Sequence, residues 1–328
     1  MKRRKMAARG SLLILSLWIV AILGALAVAT AKFLSLEVQL TKYHSAREQA
    51  RMMAHSGVLL AMQRLMVDAQ QSDKPYDWLG ETWASVPASF GSESDTWTVS
   101  QSIDQDPAAA AAVVNIRITD EERKLDINRL EDPTGEQMFV TLIGSSDQVD
   151  LLADYVDTNT EPRPSGLESL ESEPPYRAKN GPMATMAELF EIPGMREDTI
   201  ADLQRQATVY LASSTKVNIN TASRDVLRAV GLTSLADTIV GFRDQGHYFT
   251  ALTPQVATES PAVPVPFDAT ETEFMNMLPF LDVHSQTFLI RAEGVVAKPS
   301  VHYTVEAVVR RSGCGEGIPE PCVVAWKE

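Results

Sequence analysis

Cysteine is scarce: Cys314 and Cys322 are the only two in 328 residues. No CxxC pair and no Cys/His cluster can be drawn from them, so the sequence offers no structural zinc or iron–sulfur site. The five histidines, His44, His55, His247, His284 and His302, are scattered and form no HExxH pair. No GxxxxGK[ST] loop is present, which removes the usual phosphate cradle of nucleotide hydrolysis. The glycines around Cys314 are followed by no helix signal and do not read as a dinucleotide loop. Proline is missing from the first 74 residues. Basic residues are scarce outside the first ten positions, which hold Lys2, Arg3, Arg4, Lys5 and Arg9 and no acid. The rest of the chain carries a net charge of −19. Such a body suits solubility and is poorly built to hold a polyanion, whose binding draws on Lys and Arg.

One long hydrophobic run is present. Residues 11–31 are uncharged, and as a helix they span about 30 Å, the hydrocarbon thickness of a bilayer. The five basic residues before it place the N-terminus in the cytoplasm and the chain after Lys32 outside. Three alternatives fit this start: a cleaved secretory signal with Ala29-Thr30-Ala31 as its cleavage site, a plain signal anchor, or a basic leader cut after Gly10 and before Ser11. The next segment favours the third. Leu36, Leu40, Tyr43, Ala46, Ala50, Met53, Ala54, Gly57, Val58, Ala61 and Leu65 keep the three-and-four spacing of a helix face. One helix is therefore expected from about residue 12 to about residue 68, apolar all round at first and one-sided later.

Beyond it, 70–95 is loop-like, with Trp78, Trp83 and Phe90 among polar residues. Strands are expected at 97–100 and 113–119, with a turn or flap at 107–112 between them and extended chain at 125–128. Helical spacing then takes over at 137–143, 149–156, 186–190, 197–211, 223–229 and 235–244. Residues 254–270, with four prolines, read as a surface loop. Strands return at 287–296, 301–311 and 322–326, the first two joined by Ala297-Lys298-Pro299-Ser300 as a hairpin. Strands, then helices, then strands suggest an all-helical unit inserted into an α+β domain.

Several segments carry a family resemblance. They are the Gly10-Ser11 leader, Lys124-Leu125-Asp126-Ile127-Asn128, Asp154-Tyr155-Val156-Asp157-Thr158-Asn159, Gly166-Leu167-Glu168, Pro174-Pro175-Tyr176, Glu188-Leu189 with Ile192-Pro193-Gly194, and Val217-Asn218-Ile219-Asn220-Thr221-Ala222-Ser223, followed by the last two strands. In this order they resemble the minor pseudopilin K family of type II secretion systems. The resemblance implies a pilin-like α+β fold: a long N-terminal helix on an antiparallel sheet, with a large helix-hairpin-helix-like domain inserted. Its expected divisions are a leader over 1–10, the spine helix over 11–68, pilin-like segments over 69–128 and 284–328, and the inserted domain over 129–283. It implies cleavage after Gly10 and N-methylation of Ser11 by the prepilin peptidase, and a single-pass inner-membrane protein facing the periplasm. It further implies a place at the pseudopilus tip, starting its assembly, with minor pseudopilins I and J and the major pseudopilin as partners. No enzymatic activity is expected. Most pilins carry Glu where this chain has Leu15. A buried unpaired carboxylate is costly, so a subunit with no neighbour above it has no use for one.

Calcium in the helical domain is also implied. Asp157, Asn159 and Glu161 alternate after a helix, and Glu168 and Glu171 follow across a Pro/Gly loop. Hard oxygen ligands on a loop suit calcium; a solvated acidic loop is the alternative, and Asn159 stands where the family often has Asp. If the C-terminal part is exported, Cys314 and Cys322 close a small disulfide loop; two free thiols are the alternative. Residues 217–249 also resemble a helix-hairpin-helix unit, so a membrane-anchored periplasmic DNA-binding protein is the competing function. Residues 184–250 hold six basic against eight acidic groups, and on that field no nucleic acid is expected. A signal-anchored enzyme of unrecognised chemistry is the third possibility.

Overall fold

The computed structural model describes residues 9–70, 76–84, 97–101, 112–211, 216–252, 256–260, 262–311 and 321–328. A single helix, α1 (Arg9–Ala69, 61 residues), opens the chain. No proline interrupts it. Residues 13–45 are exposed all round, and the helix turns one-sided from Ala46. From there Ala46, Ala50, Ala54, Val58, Ala61 and Leu65 are buried at steps of three and four.

That face lies on an antiparallel sheet built from β1 (Trp97–Gln101), β2 (Ala112–Asp120), β11 (Thr287–Ala297), β12 (Ser300–Arg310) and β13 (Cys322–Lys327), in that spatial order. Alternate residues of the strands point inward: Val114, Ile116 and Ile118 from β2, Phe288, Ile290 and Ala292 from β11, and Val305, Ala307 and Val309 from β12. This period of two is what lets one face stay dry. Helix and sheet meet closely because small residues face each other. A Cβ on Gly294 would stand 1.9 Å from the Ala50 carbonyl oxygen, and one on Gly57 would stand 2.7 Å from Val114 Cγ2.

Strands β2 and β11 are hydrogen-bonded neighbours from Asp120↔Phe288 to Ala112↔Val296, yet the chain between them runs from 121 to 286. That segment has its own apolar core, centred on Leu130, Phe139, Leu152, Leu189, Leu203, Leu227, Ile239, Phe249 and Phe274. Its elements are β3 (Leu125–Asp126), α2 (Pro133–Ile143), α3 (Ser146–Val156), β4 (Ser169–Leu170), β5 (Tyr176–Arg177), α4 (Glu197–Gln206), β6 (Ala207–Thr208), β7 (Val217–Asn218), α5 (Arg224–Val230), α6 (Ala236–Asp244), β8 (Phe249–Ala251), β9 (Ala257–Thr258), α7 (Thr272–Met277) and β10 (Leu281–Asp282), with 3-10 turns at 127–129, 186–191 and 278–280.

Four local expectations are corrected. The extended stretch at 125–128 stops at Asp126, whose carboxylate accepts from the Asn128 N–H at 3.1 Å and bends the chain into a 3-10 turn. The helix expected to reach residue 211 ends at Gln206, because Ala207 and Thr208 pair in parallel with Leu125 and Asp126. Residues 186–190 form a 3-10 rather than an α-helix. The stretch expected to be loop includes β9, which pairs with β8. Helix α7, at 272–277, carried no periodic signal; Phe274, its one fully buried residue, holds it to the core. The turn or flap expected at 107–112 lies outside the described residues apart from Ala112, which starts β2.

Candidate functional site

Three places on the chain concentrate chemistry: the exposed half of α1, a buried polar junction under the sheet, and an acidic loop after α3. The first is set by composition. Leu13–Ala69 is long and apolar enough to cross a membrane, and its most apolar stretch buries nothing against the rest of the chain. Gly10 and Ser11 fall in the first turn of α1, and their side chains lie outside the described residues.

The junction explains several motifs. Asp120 ends β2 fully buried, where its Oδ2 accepts from the Thr221 hydroxyl at 2.6 Å, the Ser285 hydroxyl at 2.7 Å and Asn218 Nδ2 at 3.4 Å. Asn218 Nδ2 also donates to Ser285 Oγ and to the Asp77 carbonyl. The Asp77 carboxylate accepts from the Ser285 N–H and from Arg311 Nη2, each at 2.7 Å. Arg311 reaches on to Asp68 at the end of α1 at 3.2 Å, and its guanidinium lies over the Phe288 ring at 4.7 Å. Glu122 Oε1 accepts from the Gln286 and Thr287 N–H groups at 2.8 and 3.0 Å. The two covalent crossings between helical segment and sheet, at 120–122 and 283–287, are thus tied to each other, to the 217–221 turn and to α1.

Burial pushes the Glu122 carboxyl up to about 8, with Asp120 adding to it. Burial likewise raises Asp120 to about 6 and Glu81 to about 7, the latter helped by Asp68. Among the described residues, Asp68, Asp77 and Glu81 are the one group whose carboxylate oxygens all lie within 4.8 Å. Arg311 pairs with two of the three, Asp68 and Asp77.

The acidic loop is held by Asp154, fully buried on α3. Both its oxygens accept from the Arg163 N–H at 3.2 Å. Gly166 covers it so closely that a Cβ there would stand 2.0 Å from Asp154 Oδ2, so the glycine is needed for the loop to pass. Burial raises the Asp154 carboxyl, and the neighbouring Glu168 and Asp157 add to the shift.

Of the five residues expected to hold calcium, two point into this place. Asp157 Oδ1 and Glu168 Oε1 are buried with no hydrogen-bond partner, as are the Tyr176 hydroxyl and Asn180 Oδ1. Buried oxygens of this kind are normally partnered, so these donors fit a hard cation. The other three are placed differently. Asn159 Oδ1 accepts from the Glu161 N–H at 2.7 Å, Glu161 is exposed, and exposed Glu171 pairs with Arg177 at 2.6 Å. Asp154, Tyr176 and Asn180 were missed as site residues. Asp154 lies one turn before Asp157 on α3 and could have been found by that spacing; the other two arrive from a later hairpin that sequence spacing does not reveal.

Arg196, Arg205, Lys216, Arg224 and Arg228 all pair with carboxylates of this chain. Arg243 is half-buried and donates to the Ile219 and Ala222 carbonyls; desolvation lowers it to about 10. Cys322 is disulfide-bonded; Cys314 lies outside the described residues.

Comparison with known proteins bears on the same segment. Residues 123–212 match the family model described as type II secretion system (T2SS), protein K. Among curated proteins none matches. In fold, the chain is similar to one in the crystal structure of the GspK-GspI-GspJ complex from the enterotoxigenic Escherichia coli type 2 secretion system. The TM-score is 0.63 at 18% identity, covering 88% of this chain and 98% of that one. Residues 123–212 thus match the protein K family model, and the chain as a whole shares its fold with one chain of that complex.

Proposed function

We propose that the protein is a minor pseudopilin of a type II secretion system, the K-type subunit at the pseudopilus tip. The observation that carries this is the splice between β2 and β11. A long helix packs on an antiparallel sheet, and between two neighbouring strands of that sheet a unit of short helices and two-stranded ladders with a separate core is inserted. Such a unit is too bulky to be stacked inside a filament and suits its end. Minor pseudopilins I and J are the partners by analogy with the similar complex, with the major pseudopilin below. The chain crosses the inner membrane once through α1, with the basic N-terminus in the cytoplasm. Its role is structural: it works by geometry and starts assembly.

In this proposal the oxygens of Asp157 and Glu168, with Tyr176 and Asn180 beside them, hold a structural calcium ion that fixes the loop after α3. Cys314 and Cys322 close the C-terminal loop. N-terminal sequencing of the mature protein tests the assignment. A start at Ser11 carrying an N-methyl group is expected; an intact Met1, or a start near Lys32, overturns it.

A further inference from the structure

The inserted segment and the helix-on-sheet body have separate apolar cores that share no residue, so no common core locks them together. Five carboxyls meet where they join: Asp68 from the end of α1, Asp77 and Glu81 from the 76–84 segment, and Asp120 and Glu122 at the first chain crossing. Four of the five are buried, Asp68 being the exception. Arg311 sets one guanidinium against them, on Asp68 and Asp77. His284 brings its Nε2 to 3.8 Å from Asp77 Oδ2, with its side chain 34% exposed. Glu121 and Asp282 beside them are paired with Lys124 and Lys216, and Arg123 lies near Arg243. The 217–221 turn adds no charge: Asn218 and Thr221 meet Asp120 as neutral donors.

The ties across the junction run through these groups. The Glu122 carboxyl accepts from the Gln286 and Thr287 N–H groups, and its carbonyl accepts from the Asn218 N–H at 2.8 Å. The Glu121 N–H donates to the Thr287 carbonyl and the Asp77 N–H to the Val283 carbonyl, at 2.9 and 2.7 Å. Asp77 and Asp120 both hold Ser285, one at its N–H and one at its hydroxyl. A second contact is aromatic: Trp78 stacks on Tyr248 at 4.2 Å, with Tyr76 at 5.0 Å from the same ring. Burial holds the Tyr248 hydroxyl well above its ordinary range, so this contact keeps its charge state at neutral pH. The carboxyls do not. Closing the junction takes them out of water, and a buried carboxyl keeps a proton that a solvated one gives up.

We propose that this junction is a proton-operated joint: while its carboxyls hold their protons the inserted unit is locked to helix and sheet, and when they lose them the unit is freed to turn on its two chain crossings. The Trp78–Tyr248 stack is the pivot that remains. In the closed joint Glu122 keeps its proton up to about 8; in the open joint, returned to water, it ionises at its ordinary 4.5. Between those values opening releases a proton, so the open population rises with pH, by up to about tenfold per pH unit for each proton released. Glu81 and Asp120, held up at about 7 and about 6, add to the rise over the lower part of that range. The joint is a property of the splice between β2 and β11 and holds whether or not the chain serves in a pseudopilus.

Hydrogen exchange of the full chain in detergent, followed from about pH 6 to about pH 8 and corrected for the intrinsic pH dependence of amide exchange, reads the open population. The amides of Asp77, Glu121, Asn218, Ser285, Gln286 and Thr287 should gain exchange together, by roughly a hundredfold over those two pH units for Glu122 alone. The amides of Leu203 and Ile290, one in each core, should stay slower than all of them at every pH. Glu122→Gln keeps an acceptor and has no proton to lose, so it should cut the rise at least about tenfold. Glu131→Gln, at an exposed site, should leave the rise intact. A rise confined to Gln286 and Thr287 would mean that the Glu122 side chain lets go without the unit moving. Junction amides exchanging in step with Leu203 and Ile290 would mean global unfolding. Either result overturns the joint, as does a flat corrected rate in the parent or a full rise surviving in Glu122→Gln. If Glu122→Gln does not fold, the pattern in the parent decides alone.

Discussion

The close backbone approach of helix and sheet at Gly294 gives a sharp prediction. A Cβ there would stand 1.9 Å from the Ala50 carbonyl oxygen, 2.8 Å from its carbonyl carbon and 3.0 Å from the Ala54 nitrogen. All three are main-chain atoms of α1, so no side-chain rotation relieves the clash. A tolerable carbon–oxygen contact needs about 3.3 Å, and helix and strand must therefore separate by roughly 1.4 Å. Gaps of ~0.5–1 Å already forfeit a quarter to a half of the dispersion energy of facing atoms, and here the separation reaches the whole stripe from Ala46 to Leu65. Overpacking of ordinary cores costs about 1–3 kcal/mol; with backbone as the obstacle, Gly294→Ala should cost about 3 kcal/mol or more. Scaled to a domain of a few hundred residues, that is a drop in Tm of roughly 6–12 °C. Thermal unfolding of the full chain in detergent, followed by near-UV circular dichroism, measures it. Gly241→Ala is the control of opposite sign. It lies inside α6, a Cβ there meets nothing within 4 Å, and replacing a mid-helix glycine with alanine should stabilise by about 0.5–1 kcal/mol. If Gly294→Ala unfolds within roughly 1 °C of the parent, less than ~0.5 kcal/mol on the same scale, the close packing argued for α1 is wrong.

The junction predicts an unusual pH dependence. Glu122 holds its proton in the folded chain up to about 8 against an ordinary value of 4.5, so between those values the folded state binds a proton that the unfolded state has lost. Its stabilisation is complete below pH 4.5 and declines as pH rises to about 8, at up to about 1.4 kcal/mol per pH unit. Asp120 and Glu81 act in the same direction. Tm should fall between pH 5 and 8, and Glu122→Gln, which keeps an acceptor for the Gln286 and Thr287 N–H groups, should flatten the slope; a curve unchanged by that substitution would refute the assignment. For the acidic loop, a chelator should lower the Tm of the full chain, calcium should restore it, and Asp157→Ala with Glu168→Ala should abolish the response. A saturating ligand at about a hundred times its Kd contributes ~2.7 kcal/mol, so a calcium-insensitive Tm in the parent would exclude the ion.

Much of the architecture is legible in the residues themselves. Proline-free apolar periodicity determines α1, because no proline stands among the first 69 residues to interrupt its hydrogen-bond ladder. Alternating Val and Ile determine β2, β11 and β12, whose bounds differ from expectation by about one residue, the usual fraying of such assignments. The motifs alone pointed to the family whose model matches residues 123–212. Only the tertiary structure decided where the polar residues belong. Asp77, Asp120, Asn218, Ser285 and Arg311 are spread over more than 230 positions of sequence, and they converge because β2 and β11 pair across the inserted segment. The acidic loop divides likewise: Asp157 and Glu168 turn inward, while Asn159 and Glu171 find local partners and Glu161 faces solvent. Spacing along a chain shows which oxygens can meet, but burial and competing hydrogen bonds decide which of them remain available to a ligand.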